Sequence, residues 1–464
     1  MTTSSTSSST ALSVAPGRTR ILIVGGGYVG MYTALRLQRR LRRELKSRQV
    51  EVIVVDPRSY MTYQPFLPEA AAGSLEPRHV VVSLRRVLDR CEVLTGRVVS
   101  VDHERRVARI EPTRGGAYDL SYEIIVVAPG SVARTLPIPG LAEHGIGFKT
   151  LPEAIELRNR VLRSLEAAET LDDPVDRQAY LTFVFVGAGY AGLEGLAELQ
   201  DFTRDVIDLY PRCRTQGVRW ILVEGRDRVM GEINAPLAEF AARELRGRGI
   251  EIRTSTTLEE VGEDFARLSD GEVVPTRMLC WTAGVRPHPV VAELGLPLDD
   301  RGRIVVDRAM HVSDVDGVWA IGDAAAVPDP AKNGQSSPPT CQHAIRQGRT
   351  VAKNVAATLS GGRAKPFTYK TLGVFVDLGE GQAVAETLGI RWRGRIAWLL
   401  ARTYHLAMMP GAKRKLRLLT DWNVQLFFGR DGAELGGLGH PPALDQTTAG
   451  GTPSEPPTIK PSDG

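Results

Sequence analysis

Arg20-Ile21-Leu22-Ile23-Val24, then Gly25-Gly26-Gly27-Tyr28-Val29-Gly30, a helical run, and Val50-Glu51-Val52-Ile53-Val54-Val55-Asp56 decide how the chain begins to fold. The order is a short buried strand, a Gly-x-Gly-x-x-Gly turn, a helix and a second buried strand ending in an acid. Gly25 permits the tight turn. Gly27 lets backbone N–H groups approach a pyrophosphate, and Gly30 lets the helix lie close on the sheet. The positive end of the helix faces the phosphates. Asp56 is placed to accept hydrogen bonds from the hydroxyls of an adenosine ribose. A Gly-rich turn alone is weak evidence, but here strand, helix and acid all stand in the right order. The acid arrives 26 residues after Gly30, later than the usual ~20, which predicts a helix longer by about two turns. Arg39, Arg40, Arg42 and Arg43 read as a solvated face of it.

The theme then repeats. Leu181 to Val186 is a strand, Gly187-Ala188-Gly189-Tyr190-Ala191-Gly192 is the turn, Leu193-Glu194 opens a helix, and Arg219 to Glu224 is a strand ending in an acid. Two complete sets imply two dinucleotides and two domains. A carboxylate at Glu224 welcomes a free ribose 2′-hydroxyl and repels a 2′-phosphate, so NADH is expected over NADPH. Arg226 works against that preference. Between and after these units, Val93–Val101 and Arg106–Ile110 read as short antiparallel strands. Ile124 to Gly130 and Met278 to Gly284 are apolar strands running into turns. Gln64 lies in a turn-rich connection at the carboxyl side of the strands, where ligands sit in open α/β sheets. Val318 to Ala324 carries Gly322-Asp323, an acid beside a Gly turn that suits contact with ribitol or pyrophosphate; an ordinary turn Asp is the alternative.

The 464 residues and net charge of +4 suit a multidomain globular protein. Four scattered cysteines, Cys91, Cys213, Cys280 and Cys341, form no Cys-x-x-Cys pair, which argues against a disulfide framework, a zinc or other metal site, and a dithiol motif. No apolar run is long enough to span a membrane. Residues 1–17 are Ser/Thr-rich and 441–464 are rich in Pro, Thr and Gly, so both are expected to be disordered. Arg outnumbers Lys 49 to 9, which hints at a GC-rich bacterial genome.

Gly25-x-Gly27-x-x-Gly30, Gly187-x-Gly189-x-x-Gly192 and Ala320-Ile321-Gly322-Asp323 together resemble the two-dinucleotide-binding flavoprotein superfamily. Within it, Gln64-Pro65, Gly192-Leu193-Glu194, Trp281-Thr282-Ala283-Gly284-Val285 and Pro339-Thr340-Cys341-Gln342-His343-Ala344 look like a type II NADH dehydrogenase, the single-subunit NADH:quinone oxidoreductase. The resemblance runs from about Arg20 to about Gly437. It implies FAD in the first unit, NADH in the second, and Asp323 on the FAD. It also implies Glu194 near flavin and nicotinamide, and Gln342 beside the flavin ring with its amide toward a quinone carbonyl. Gln64, Gly130 and Gly284 join the cofactor-binding set. Two departures stand out. Cys341 replaces the Ala usual before this Gln, and Ala128-Pro129-Gly130 replaces a common Ala-Thr-Gly. Hydride transfer needs stacking at about 3–3.5 Å rather than an acid or base, but reduction of a quinone needs protons. Glu194, Gln342 and His343 are the candidate groups. Each has a structural alternative: a carboxylate favoured by the helix dipole, a buried helix-start amide, and a structural histidine.

Arg391 to Thr420 holds eight Lys/Arg and no acid, while the other 50 of the 58 bases face all 54 acids. Trp392, Ile396, Trp398, Leu399, Leu400 and Tyr404 precede Pro410-Gly411, and Leu416, Leu418, Leu419 and Trp422 follow it. Two amphipathic helices with basic flanks suit insertion into an anionic membrane surface through residues 391–422. A homodimer interface or a packed core helix with a basic surface is the alternative. Nucleic-acid binding is disfavoured, because bulky apolar residues interleave the bases.

The expected fold is α/β, with two nested Rossmann-like domains and a C-terminal amphipathic membrane-binding region. FAD binding is assigned to 18–150 and 286–364, NADH binding to 151–285, and membrane binding to 365–440. The expected activity is NADH oxidation through FAD to a membrane quinone, menaquinone or ubiquinone, without proton pumping. It is placed at the cytoplasmic face of a bacterial cell membrane, as a peripheral protein. A sulfide:quinone oxidoreductase, which needs paired cysteines near its flavin, and an NADH-sensing scaffold are the competitors.

Overall fold

The computed structural model describes residues 18–329, 335–369 and 373–434. The two expected disordered tails, and the last residues of the resemblance, lie outside the described residues.

Thr19–Val24 pairs in parallel with Val50–Asp56 on one side and Ile124–Val127 on the other, and Val318–Ala320 extends the sheet beyond the latter. Ile21 to Ile23, Val52 to Val55 and Ile125 to Val127 are sealed from solvent. A sheet covered on both faces explains why these strands read as continuous apolar runs. Glu92–Asp102 corrects the expectation of a short strand. It is 11 residues long and serves two partners. Glu92 to Thr95 pairs in parallel with Ile53 to Asp56, and from Gly96 onward the strand pairs antiparallel with Val107–Pro112. The hand-over falls at Gly96, where an added Cβ would lie 2.5 Å from the Glu111 carbonyl oxygen.

The long first helix is also corrected. Tyr28–Arg40 stops at Leu41, whose φ of −95° and ψ of 29° leave the helical region, and Arg42–Lys46 is a separate short helix. The extra residues before Asp56 form this second turn, with Arg39, Arg40, Arg42 and Arg43 exposed.

The second sheet is parallel throughout, in the order Gly145–Gly147, Met278–Trp281, Thr182–Val186, Arg219–Val223, Glu251–Arg253. Gly145–Gly147 falls within the 18–150 stretch but belongs to this sheet, so the crossover between the sheets precedes residue 150. A two-stranded link, Ser131–Ala133 against Val285–Pro287, joins the two bodies.

Ahead of the two expected C-terminal helices the chain forms an unexpected antiparallel meander, Gly373–Asp377, Ala383–Thr387 and Ile390–Arg393. Its second turn holds Leu388 and Gly389 at φ 52° and 84°, the left-handed pair of a tight hairpin. The helices are Gly394–Met408 and Ala412–Phe428. Their faces differ from expectation. Trp398 and Trp422 point inward and flank the Arg402 guanidinium at 4.2 and 4.7 Å. Trp392 donates to the Thr387 hydroxyl. The outward face is aliphatic, with Ile396, Leu399, Leu416 and Leu419 exposed, and it ends in exposed Leu426, Phe427 and Phe428. Among the described residues no helix is long and apolar enough to cross a membrane.

Candidate active site

The two Gly-rich turns have the same construction. Gly25 and Gly187 sit at φ +99° and +104°, each backed against the end of a neighbouring strand, Ala128-Pro129 in one case and Thr282-Ala283 in the other. A Cβ on Gly30 would lie 1.9 Å from the Gly25 carbonyl oxygen, and one on Gly192 would lie 2.0 Å from that of Gly187. Each glycine therefore sets how closely helix meets turn. Gly27 and Gly189 are different, because a Cβ there would meet nothing within 4 Å. Both are helix N-caps without a side-chain cap, and neither helix has an acid in its first turn. Elsewhere Thr150 and Thr340 cap their helices with a hydroxyl. The nucleotide helices thus present unsatisfied N–H groups to open space, the arrangement that a pyrophosphate completes.

The acids are matched as well. Asp56 accepts from Gly26 N and Arg58 N, both at 2.7 Å. Glu224 accepts from Ala188 N at 2.8 Å and Arg226 N at 3.0 Å. Each carboxylate is fixed as an acceptor at the rim of its turn. Burial raises the Asp56 carboxyl above its ordinary value, offset by its two backbone hydrogen bonds.

Asp323 lies across the first cradle, where the late strand meets the sheet. Its carboxylate accepts from Ser131 Oγ at 2.5 Å, Lys149 Nζ donates to the same hydroxyl at 2.7 Å, and Lys149 Nζ stands 3.9 Å from Asp323. Gln64 Nε2 reaches the Lys149 carbonyl at 3.5 Å. Gly322, at φ +73°, receives Gln347 Oε1 on its N–H at 2.8 Å. Gly322, Asp323, Ser131, Gln347 and His343 line a cleft of about 520 Å³. Gly130 and Gly284 stand at the link between the bodies, at φ +75° and +100°. Lys149 and Ser131 were missed from sequence, because the short strand before Lys149 gave no periodic signal.

Gln342 is held at both ends of its amide. Nε2 donates to Gly373 O at 2.9 Å, and Tyr369 donates to Oε1 at 2.7 Å. His343 is buried; its Nδ1 meets the Thr340 hydroxyl at 2.8 Å, and its ring stands edge-on to Tyr369. Beside Cys341 begins a chain of rings. Tyr28 packs on Tyr32 and Tyr63, Tyr63 on Phe66 and His405, and His405 on Phe375 and Tyr404. Burial pushes His405 down to about 4, so it is neutral. Burial pushes the Cys341 thiol up to about 12, with Asp323 adding to the effect. All four cysteines are free, so no paired cysteines of the kind a sulfide oxidation site needs are present.

Under the second cradle lies a group of carboxylates that sequence reading missed, apart from Glu194. Glu69 accepts from Arg402 at 3.1 Å and from Trp422 Nε1 at 2.6 Å. Glu198 accepts from Arg430 at 3.1 Å, and Asp201 pairs with Arg248. Among the described residues Glu194 accepts only the Asp377 N–H, at 3.1 Å, and Asp377 accepts the Gly379 N–H at 2.8 Å. Five carboxylates thus share three guanidiniums. Glu194 and Asp377 have none of their own, and these two hold protons most readily. Burial, with Glu198 and Glu69 nearby, raises Glu194 to about 8 and Asp377 well above the carboxylate range. Glu194, Glu198 and Asp201 lie on one helix, but Glu69 and Asp377 come from segments more than a hundred residues away, so local spacing could not reveal that the five converge.

Residues 7–348 match the pyridine nucleotide-disulphide oxidoreductase family. The chain is 28% identical over 436 residues to the type II NADH:quinone oxidoreductase Ndh of Mycobacterium tuberculosis, covering 90% of each chain. It is 30% identical over 414 residues to the demethylphylloquinone reductase NdbB of Synechocystis, covering 87% of this chain and 96% of that one. The structure of NDH2 from Plasmodium falciparum in complex with NADH shares the fold, with a TM-score of 0.83 at 18% identity over 90% of this chain and 100% of that one. With its two cradles, its late Asp323 and these relatives, the chain belongs to the pyridine nucleotide-disulphide oxidoreductase family, in the branch of the type II NADH dehydrogenases.

Proposed function

We propose that this protein oxidises NADH and delivers the electrons, by way of FAD, to a membrane quinone such as menaquinone or ubiquinone, without pumping protons. The observation that carries the reading is the pair of uncapped, acid-clamped helix N-termini, with a chain of aromatic rings leading from the first toward the apolar C-terminal helices. Of the relatives named above, Ndh is an NADH:quinone oxidoreductase, NdbB is a demethylphylloquinone reductase, and NDH2 is seen in complex with NADH. When bound, FAD supplies the acceptor for the hydride and the donor for the quinone.

The protein's own residues do the rest. The 25–30 turn would hold the pyrophosphate of FAD, and Asp56 would hold its ribose. Asp323, with Ser131 and Lys149, orients the middle of the cofactor from the opposite side. The 187–192 turn and Glu224 would hold NADH, so that its nicotinamide could reach the flavin. Glu194, protonated at neutral pH, keeps a proton at its carboxyl oxygen beside that junction. Gln342 has one amide N–H left to orient a quinone carbonyl. His343, tied to Thr340, steadies the start of its helix. Tyr28, Tyr63, Phe375 and Tyr404 keep water from the quinone's path.

The exposed aliphatic face, with Lys413, Arg414, Lys415 and Arg417 beside it, supports peripheral binding to an anionic membrane on the side where NADH is made. Removing the whole tract would cut into the strand Ala383–Thr387 and strip Glu69 and Glu198 of Arg402 and Arg430. The better test combines Leu399→Glu with Leu416→Glu. The flavin-loaded variant should leave anionic vesicles, keep NADH oxidation with ferricyanide and lose activity with a long-tailed quinone. Retention on vesicles would make this face a dimer interface. Flavin-loaded wild type that binds NADH but turns over no soluble quinone would be a sensor rather than an enzyme.

A further inference from the structure

We propose that a second, concave site beside the membrane-facing helices binds the phosphate headgroup of an anionic phospholipid. This inference rests on the membrane contact proposed above but uses different residues. A cavity of about 500 Å³ lies between helix Tyr28–Arg40, residues 86–89, helix Cys341–Leu359 and the turn at Pro410-Gly411. Arg36, Arg39, Arg86 and Arg349 line it, and Asp89 is its one acid. Among the described residues none of these four arginines forms an ion pair. They come from three separate parts of the chain, so the fold brings like charges together.

The crowding is visible in the groups themselves. Burial lowers the Arg36 guanidinium, and Arg349, Arg39 and Arg40 lower it further. Burial likewise lowers Arg414, with Arg417 and Arg86 adding to the effect. Like charges held together without partners are a cost to the fold unless an anion neutralises them. Several guanidiniums converging on one point suit a phosphate, whose oxygens accept forked pairs of N–H bonds.

The rest of the lining selects a lipid. Leu35, Val87, Ile345 and Met408 give the cavity an apolar wall, which a free phosphate would not use and a glycerol backbone would. Tyr32 ties its floor to the turn by donating to Met408 O at 2.9 Å. That turn joins the two helices whose outward aliphatic face is exposed, so a lipid in the contacted leaflet can place its headgroup here. Net charge on the membrane side thus comes from the FAD-binding body as well as from the C-terminal tract.

The experiment titrates holoenzyme with monomeric dihexanoyl phosphatidylglycerol, and separately with inorganic phosphate at matched ionic strength. Wild type is compared with Arg36→Gln/Arg39→Gln/Arg349→Gln and with a charge-matched control on the neighbouring exposed helix, Arg42→Gln/Arg43→Gln/Lys46→Gln. We expect one lipid per chain, an affinity loss of roughly tenfold or more in the cavity variant, little loss in the control, and unchanged ferricyanide reduction in both. Equal losses in the two variants, or none in the cavity variant, would overturn the site. Phosphate that competes as well as the lipid would overturn the lipid assignment. Wild type that binds the monomeric lipid but does not sediment with phosphatidylglycerol vesicles would support the cavity while sinking the membrane reading.

Discussion

The two nucleotide cradles share their turn, their clamped acid and their open glycine, yet what lies over them differs. The first helix is covered along its length by helix Cys341–Leu359. A Cβ on Gly348 would come within 2.7 Å of Thr33 Oγ1 and 3.0 Å of Val29 O, so the two helices touch at backbone distance. Asp323, Ser131 and Lys149 close the far side. Over the second turn the Thr282 hydroxyl is shared between the carbonyls of Val186 and Gly187 at 2.9 and 2.8 Å, and Met230 N–H donates to Ala188 O at 2.9 Å, but Ala191, the counterpart of buried Val29, is exposed. One cradle is walled in and the other is open at its rim. On the proposed assignment the same fingerprint serves a resident cofactor in one place and a substrate that must leave in the other. Enclosure, rather than the glycine pattern, separates the two.

The largest expected effect separates the cradles directly. Because a Cβ at Gly27 or Gly189 meets no protein atom, Gly27→Val and Gly189→Val should both fold. Gly27→Val should be isolated without flavin, as read by absorbance. Gly189→Val should keep its flavin but be reduced by NADH on the order of a hundredfold more slowly, as one displaced contact at a pyrophosphate allows. The opposite pattern would reverse the cofactor assignment.

A second difference lies five residues past the open glycine. There the first helix carries Tyr32 and the second carries Glu194. With Glu194 near 8, its proton is present at neutral pH and lost above. Quinone reduction should then decline as pH rises through about 8, while ferricyanide reduction stays flat. Glu194→Gln should lower quinone turnover by about 10²-fold and remove that decline. Glu198→Gln, which removes one of the charges that raise Glu194, should move the decline to lower pH rather than abolish it. The raised value also carries a stability term. The folded chain holds a proton that the unfolded chain releases above 4.5, so this group's contribution falls as pH rises from 4.5 to about 8. An unchanged profile in Glu194→Gln would remove Glu194 from proton delivery.

Both cradles were legible in the sequence because each is local. Strand, turn, helix and acid fall within some forty residues, and backbone geometry dictates the glycines. The sequence was less informative wherever one residue serves two neighbours or where partners are distant. Gly96 marks the place where one strand changes sheets, and nothing in its own segment says so. Trp398 and Trp422 sit at helical spacing with the exposed leucines, but they are drawn inward by Arg402 and Glu69, the latter more than three hundred residues away. Lys149 follows a three-residue strand, too short for any pattern. Arg430, near the end of the described residues, donates to Glu198 and Ser74 in the interior, partners more than two hundred residues away. Charge pattern located the C-terminal tract correctly as two helices, while burial decided which of its faces is free.

The smallest effect probes the clamped acids. Asp56 and Glu224 are fixed by the same two kinds of backbone N–H, so each would present a carboxylate to a ribose. For a resident FAD this adds to a grip made at many points. For the second ligand it is also a choice, since a 2′-phosphate placed there would face a fixed negative charge. Arg226, two residues on, does not cancel this. Its Nη1 lies 2.6 Å from where a Cβ on Gly231 would be, so the side chain folds along its own loop. Wild type should therefore prefer NADH over NADPH in kcat/KM. Glu224→Gln keeps the shape and an amide oxygen but removes the charge, and should narrow the ratio about tenfold, the size of one partly screened charge pair. Flavin content should not change, because the substitution touches only the open cradle. A wild-type preference for NADPH would mean that Arg226 turns outward to the phosphate, and that the two acids, alike in geometry, are used differently in the two cradles.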